Sequence, residues 1–203
     1  MNLLSILLLA YLLLFFGLAF FWRSYRVWRT TGVNPYRLTG HENQQDNLHG
    51  LVNRLFRLTL VGTALVVLVY AFSPPIHRFF APFTWLERPP VLGVGLVFLF
   101  IALIGVLVAQ IQMGSSWRIG IDTEHATELV TRGIFSRSRN PIFLGMRVML
   151  VGLFLTLPNA LTLALWWLGD TLMQVQVYLE EAHLRGLHGE AYEQYRQQVR
   201  RWL

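Results

Sequence analysis

Residues 132–159, RGIFSRSRNPIFLGMRVMLVGLFLTLPN, join a polar approach to an apolar run that ends in a proline and an asparagine. Asn140-Pro141 favours the start of a helix, because proline at the first helical position lacks only an N–H that would have no partner there. Residues 142–157 then have the composition of a membrane span. Pro158-Asn159 leaves room only for an antiparallel return into a second apolar run, residues 160–178. The stretch therefore predicts a helical hairpin within a membrane.

The composition of the whole chain extends this prediction to a polytopic membrane protein. Hydrophobic residues make up 54% of the 203 residues and charged residues only 14%, whereas soluble domains carry roughly 25% charged residues. Residues 3–22, 58–72 and 91–113 supply three further apolar runs. We expect an all-α, polytopic membrane protein with about five transmembrane helices. The hairpin forms spans 4 and 5, and a cytosolic C-terminal helical tail follows it.

The placement of the arginines predicts the orientation. All seventeen strongly basic residues are arginines, and fourteen lie in the loop after the first span, the segment after the third span and the tail. The loop between the second and third spans holds only Arg78 and Arg88. Because cytoplasmic segments are enriched in Lys and Arg, we expect the N-terminus outside and both polar segments and the tail in the cytoplasm. Topology thus accounts for the net charge of +6, and no nucleic acid partner is expected.

Two polar segments flank the predicted hairpin. Residues 121–143, IDTEHATELVTRGIFSRSRNPIF, lead into the fourth span, and residues 175–202, VQVYLEEAHLRGLHGEAYEQYRQQVRRW, follow the fifth. An antiparallel hairpin brings these segments together at one membrane face. The face then holds more hydrogen-bonding groups than a membrane anchor needs, which indicates a functional site.

Both segments carry motifs with matching internal spacing. The first contains Leu129-Val130-Thr131-x-Gly133-Ile134-Phe135, followed by Arg139-Asn140-Pro141-x-Phe143-x-Gly145. The second contains Glu180-Glu181-x-x-Leu184, then Gly189, Tyr192, Tyr195 and Val199-Arg200. The pattern resembles the cofactor signature of the isoprenylcysteine carboxyl methyltransferases, and the chain looks like a prokaryotic member of that family of integral membrane enzymes. The resemblance covers residues 114–203.

The resemblance implies a membrane methyltransferase that uses S-adenosyl-L-methionine. The pattern of spans and loops predicts a single membrane domain, residues 1–203, with three N-terminal spans and a basic cytosolic loop in residues 1–113. Residues 114–203 would form the methyltransferase core with its cofactor cradle. The cofactor-binding residues that the resemblance implies are Thr127, Glu128, Leu129, Val130, Phe135, Arg139, Asn140, Pro141, Phe143 and Glu180.

The chemistry of these residues suits the cofactor. A carboxylate at Glu180 can take the ammonium or the ribose hydroxyls, and Phe135 and Phe143 can pack on the adenine. A helix that begins at Asn140-Pro141 leaves its first N–H groups free for the polar end of the cofactor. Because a sulfonium is a good leaving group, the protein has mainly to align the reacting atoms and exclude water. We therefore assign no catalytic residue, and the histidines show no spacing typical of a metal site.

The acceptor stays open at the sequence level between a carboxylate, a thiol and the amine of a phospholipid headgroup. All three are lipophilic acceptors that would enter from the membrane lipids. In the resembling family an arginine that holds the substrate carboxylate precedes the glutamate pair by four residues, and Gln176 stands there in this chain. Arg147 lies about 9 Å into the fourth span. We interpret Gln176 and Arg147 as substrate-binding residues. The alternative for Arg147 is that its side chain extends to the lipid headgroups and has no role in binding.

A non-catalytic role as a transporter subunit or scaffold is the alternative to the enzyme. Transporters tend to show internal repeats and broken helices in two halves, and neither is visible here. As a prokaryotic member, the protein is expected in the bacterial inner membrane.

The orientation is testable because the chain has no cysteine. We predict that a cysteine at position 44 is protected from an impermeant thiol reagent in intact cells, whereas one at position 159 is labelled. Labelling at position 44 but not at 159 would reverse the orientation.

Overall fold

The computed structural model describes residues 2–35, 47–119 and 127–203. These residues form helices and turns without a strand, so the predicted all-α, polytopic membrane fold is confirmed. The helices are α1 (Leu3–Leu14), a π-helical segment (Phe15–Trp22), α2 (Arg23–Thr31), α3 (Asn47–Phe72), α4 (Pro74–His77), α5 (Pro89–Met113), α6 (Pro141–Thr156), α7 (Ala160–His188) and α8 (Glu190–Gln198).

The described helices differ in their fitness to cross a membrane. Leu3–Thr31, Gly50–Phe72 and Pro89–Ser116 are long and apolar enough, and the second of these begins eight residues before the predicted position 58. Helix α6 is apolar but has only 16 residues. Helix α7 has 29 residues and becomes polar in its second half. By length and composition, three described helices therefore qualify as spans, and α6 and α7 form a hairpin beside them that does not meet both criteria.

The N-terminal span is one continuous helix that contains a π-helical segment. The N–H of Arg23 bonds to the carbonyls of Leu18 and Phe20, whereas a regular α-helix would pair it with Ala19. The helix ends at Gly32, whose φ of 71° lies in the left-handed region that glycine adopts without strain. The π-helical segment thus leaves the carbonyl of Ala19 without the N–H of residue 23.

Helices α5 and α6 pack closely because small residues face each other. A Cβ on Gly152 would lie 3.0 Å from the carbonyl oxygen of Gly95, and one on Gly145 would lie 2.6 Å from Val106. Small residues allow helix backbones to approach in this way within membranes. The core formed by α5 and α6 includes Leu99, Ala102, Val106, Met149 and Leu153. This packing fixes the start of α6 relative to the end of α5.

The turn between α6 and α7 is closed by a capping box. The side chain of Asn159 accepts from the N–H of Thr162, and the Thr162 hydroxyl accepts from the N–H of Asn159. Asn159 is fully buried, so a cysteine there would be shielded whatever the topology. Exposed Ala160 is the better probe on that side. Position 44 lies outside the described residues, and exposed Ala191 in α8 can replace it.

The close approach of α5 and α6 generates a stability prediction. A Cβ on Gly95 would lie 2.8 Å from the backbone nitrogen of Thr156 and 2.9 Å from the carbonyl oxygen of Gly152. Since backbone cannot move aside cheaply, Gly95→Ala should destabilise the protein by about 1–3 kcal/mol, measured as thermal unfolding in detergent. The control is Gly93→Ala on the same helix, where a Cβ meets nothing within 4 Å. Equal melting temperatures for the two variants would contradict the packing argument.

Candidate functional site

One end of the bundle gathers the polar segments singled out in the sequence. We call it the arginine-rich end. Helix α5 ends there and α6 begins there, and the second half of α7 and the tail lie beside them. It carries two features on neighbouring faces of α7, a pocket and a cluster of ion pairs.

The first feature, the end pocket, has a volume of about 100 Å³ and is lined mainly by apolar side chains. Every long helix contributes to it. Its lining residues are Phe15 and Phe20 of the π-helical segment, Asn53 and Phe56 of α3, Val106, Gln110 and Met113 of α5, Trp117, Arg118 and Ile119 of the following segment, Ile142, Phe143 and Met146 of α6, and Gln176 and Glu180 of α7. Five of these residues carry aromatic rings.

Glu180 brings a carboxyl group into this aromatic pocket. The amide nitrogen of Gln176 donates to its Oε1 across 3.3 Å. Burial among apolar side chains raises the pKa of Glu180 to about 7, an effect that the hydrogen bond from Gln176 only partly offsets. Near neutral pH, the carboxyl group of Glu180 is therefore poised to gain or lose a proton, and a cation in the pocket would favour its charged form.

Gln110 is a second polar group in the pocket wall. Its side chain is 3% exposed, and its Nε2 donates to the carbonyl of Ala19 across 2.9 Å. Its Oε1 is buried and has no hydrogen-bond partner. Gln110 and Glu180 thus both bring side-chain oxygens to the residues that line the end pocket.

The second feature, the Glu181 clamp, comprises Arg139, Asn140, Glu181 and Arg201. The Glu181 carboxylate is buried and accepts from Arg139 Nη2 at 3.0 Å, from Asn140 Nδ2 at 3.1 Å and from Arg201 Nη2 at 2.7 Å. Burial alone would raise the pKa of Glu181, but the hydrogen bonds from Arg201 and Arg139 outweigh it and hold that pKa below its usual range. The clamp therefore contains a charged carboxylate.

The clamp belongs to a larger set of bonds between the start of α6 and the tail. Arg139 donates from its backbone N–H to the carbonyl of Arg200 at 3.0 Å, and from its side chain to the carbonyl of Val199 at 2.6 Å. The hydroxyl of Tyr195 donates to the carbonyl of Phe135 at 2.7 Å. Much of the polarity in residues 132–140 thus serves to hold the tail across the start of α6.

The predicted cofactor residues do not all lie in one place. Phe143 and Glu180 line the end pocket, whereas Arg139 and Asn140 belong to the Glu181 clamp. Pro141 is the buried first residue of α6, and Phe135 is buried in a 3₁₀ turn, Gly133–Ser136. The remaining four, Thr127, Glu128, Leu129 and Val130, form an irregular segment before that turn. Their roles in binding a cofactor stay predictions.

The 3₁₀ turn is anchored to α5 by Gln112. The N–H of Ile134 donates to Gln112 Oε1 at 2.7 Å. Gly133 has a φ of 65°, and a Cβ there would lie 2.3 Å from the same oxygen. The glycine of the sequence motif is therefore required both by its backbone conformation and by the close approach of Gln112.

The two predicted substrate residues lie apart. Gln176 lines the end pocket, whereas Arg147 is not among its lining residues. Arg147 forms an ion pair with Asp170 of α7, and its guanidinium carbon lies 4.4 Å from the ring centroid of Trp202. A substrate-binding role for Arg147 stays a prediction, but its charge already has a partner.

Sequence reasoning missed Asp170, Trp202, Gln110 and the structural role of Glu181. One signal was available for Asp170. Arg147 precedes Pro158 by eleven residues and Asp170 follows Asn159 by eleven, so an antiparallel hairpin places them at the same level. Nothing local in the sequence marks the return of the tail that brings Trp202 and Arg201 to α6 and α7.

Among the residues that the structure describes, no cluster of three or more histidine and acidic side chains has a geometry that could hold a metal ion. The fold and the site together define an all-helical membrane bundle with an aromatic pocket and a carboxyl group among the residues that line it.

The model of the phospholipid methyltransferase family matches residues 90–191, which is just over half of the 203 residues, and the chain belongs to this family. That family lies in the same superfamily of membrane methyltransferases as the isoprenylcysteine carboxyl methyltransferases. The chain is thus a membrane methyltransferase that acts on lipid. No curated protein and no solved structure matches it.

The Glu181 clamp predicts that Glu181→Ala releases the tail. Removing the carboxylate leaves Arg139 without its ion pair in a nearly buried site, which costs about 3 kcal/mol. We expect a lower melting temperature and faster trypsin cleavage after Arg196 and Arg200. The control is Glu190→Ala, an exposed carboxylate of α8. Unchanged proteolysis in Glu181→Ala would show that the clamp does not hold the tail.

Proposed function

We propose that the protein transfers a methyl group from S-adenosyl-L-methionine to the headgroup amine of a membrane phospholipid. One observation carries the proposal: the end pocket places the Glu180 carboxyl among the rings of Phe15, Phe20, Phe56, Trp117 and Phe143. Membership of the phospholipid methyltransferase family supports the lipid acceptor.

The pocket has the chemistry of a site for organic cations. The faces of aromatic rings attract cations, most strongly in sites from which water is excluded. The carboxylate of Glu180 adds a full negative charge, and Oε1 of Gln110 adds an acceptor. The sulfonium of the cofactor and the methylated ammonium of the product are both soft, weakly hydrated cations. In the transfer the neutral amine would bond to the methyl carbon as the carbon–sulfur bond breaks, which leaves a neutral thioether, so the pocket region would hold a cation before and after the step.

The described residues fit the cofactor in part. When bound, S-adenosyl-L-methionine supplies an electrophilic methyl group on its sulfonium. The end pocket, at about 100 Å³, is smaller than the roughly 300 Å³ at the low end of small-molecule sites, so it would hold the charged centre rather than the whole cofactor. Glu180 and Phe143 would contact that centre. Thr127, Glu128, Leu129, Val130 and Phe135 would hold the adenosine.

The start of α6 has less capacity for the cofactor than its sequence motif implies. Arg139 and Asn140 donate to Glu181 and to backbone carbonyls of the tail. We infer that these two residues, with Pro141, act on the cofactor by shaping the wall behind Phe143. On this inference, Glu180 rather than Arg139 would be the charged residue that contacts the cofactor.

The charges around the pocket favour an amine acceptor over a carboxylate. Arg147 is neutralised by Asp170, and the amide of Gln176 is directed to Glu180. An anionic acceptor would instead meet the oxygens of Glu180 and Gln110. Arg118 lines the same pocket and could hold the phosphate of a zwitterionic headgroup. An ammonium acceptor must lose a proton before it attacks the methyl group, and the Glu180 carboxylate is placed to accept it.

Methylation of a prenylated carboxylate is the second candidate, favoured by the resemblance of the two motifs. The test of function compares both acceptors. Purified protein is incubated with S-adenosyl-L-methionine labelled in its methyl group and with vesicles that contain phosphatidylethanolamine. We expect label in the lipid, and none with vesicles of phosphatidylglycerol, which has no amine. Label on a prenylated cysteine carboxylate, with none on the amine lipid, would favour the second candidate. Cofactor binding without transfer to either would overturn the proposal.

The role of Glu180 predicts how the affinity for the cofactor depends on pH. Because the pKa of Glu180 is raised to about 7, its charged form is lost as the pH falls through 7. At pH 6 the dissociation constant of the cofactor should be about tenfold higher than at pH 8. Glu180→Gln should bind the cofactor weakly at both pH values. Any change of its dissociation constant with pH reports the titration of the cofactor itself. If the dissociation constant changes with pH equally in the wild type and in the variant, Glu180 does not bind the cofactor.

A further inference from the structure

Gln110 is a buried amide in a largely apolar membrane helix. It lies near the end of the span Pro89–Ser116 and is 3% exposed. Burying an amide is costly unless its groups are hydrogen-bonded, and most buried polar atoms in proteins are paired. Only half of this amide is paired, since Nε2 bonds to Ala19 and Oε1 bonds to nothing. Gln110 is one of the residues that line the end pocket.

The orientation of the amide is fixed by the π-helical segment. The N–H of Arg23 bonds to the carbonyls of Leu18 and Phe20 and passes over Ala19. The carbonyl of Ala19 can only accept, so the nitrogen of Gln110 has to face it. A flipped amide would bring two oxygens together. Oε1 is therefore held on the side away from Ala19, as an acceptor without a donor.

We propose that Oε1 of Gln110 accepts a hydrogen bond from an ammonium N–H of the ligand in the end pocket. This inference rests on the proposed function, and it adds a residue that sets the specificity of the pocket. Two ligand groups offer such an N–H, the headgroup of an amine lipid and the amino acid end of the cofactor. Both present the same chemistry to Gln110.

For the lipid, this contact makes the pocket sensitive to the extent of methylation. Each transfer replaces one N–H of the headgroup with a methyl group, and a trimethylammonium has no N–H left. A site built to hydrogen-bond an N–H disfavours the analogue that lacks it, because the buried acceptor is then left unpaired. The fully methylated headgroup would thus lose the contact with Gln110 and keep those with the aromatic rings and Glu180.

The test measures how a substitution at Gln110 changes the affinity for each of three lipids that differ in the number of methyl groups on the headgroup. Vesicles carry phosphatidylethanolamine or its dimethyl or trimethyl derivative, and their affinities for the wild type and Gln110→Met are compared. We expect Gln110→Met to weaken binding of the two lipids with an N–H by about tenfold, the effect of one charge-assisted hydrogen bond, and to leave the trimethyl lipid unchanged. Because each comparison uses the same two proteins, a partly unfolded variant would lower all three affinities equally.

Three further variants keep the result interpretable. Gln110→Glu retains, in its protonated form, both an O–H for Ala19 and an acceptor, and in that form should restore the preference for lipids with an N–H. Gln110→Leu replaces Gln110→Met if the latter does not fold. Gln112→Met is the matched control, since Gln112 lies on the same helix and bonds to Ile134 outside the pocket lining. It should leave the preference intact.

The cofactor arm identifies the source of the N–H. Gln110→Met could instead weaken the binding of S-adenosyl-L-methionine by about tenfold and leave the binding of an analogue without the amino group unchanged, whichever lipid is present. In that case the cofactor supplies the donor. An equal loss for every ligand, or no loss for any, would overturn the assignment of Gln110. In that case the wild type would still methylate phosphatidylethanolamine. Failure of the wild type to do so would instead count against the proposed function.

Discussion

The buried carboxylate of Glu181 is the constraint on which the arginine-rich end depends. A buried charge is tolerated only when ion pairs and hydrogen bonds replace its lost hydration. Glu181 obtains them from Arg139, Asn140 and Arg201, which belong to the start of α6 and to the tail. The start of α6, the second half of α7 and the tail are thereby held around one carboxylate. The tail in turn covers Arg147 with Trp202.

The neighbouring glutamate has the opposite environment for a geometric reason. Successive residues of an α-helix point about 100° apart, so Glu180 and Glu181 cannot share partners. Glu181 faces two arginines, and Glu180 faces apolar rings and the amide of Gln176. One pair of identical residues thus supplies a structural ion pair and a carboxyl group whose pKa lies near neutrality.

The sequence predicts those parts of this fold that depend on local rules. Proline after asparagine marked the start of α6, and Pro158-Asn159 marked the turn into α7, since both act through backbone geometry and capping. The ion pair of Arg147 with Asp170 and the clamp at Glu181 depend on contacts between elements. Arg139 and Arg201, which were counted for topology, and Arg147, which was predicted to bind substrate, are all paired with acids of α7. They therefore add little positive potential to the adjacent pocket.

The π-helical segment connects the N-terminal span to the chemistry of the site, and the apolar run FFGLAFFW gives no sign of it. Residues five apart lie about 140° apart around an α-helix, so Phe15 and Phe20 would face different neighbours. Hydrogen bonds that span five residues stack such positions on one side instead. Both rings accordingly line the end pocket, with centroids 6.1 Å apart. The carbonyl of Ala19, passed over by the N–H of Arg23, is paired by Gln110. The wider backbone turn thus brings two aromatic rings to the pocket and also fixes which side of the Gln110 amide bonds to Ala19. These are the elements that a site for a soft cation with an N–H requires.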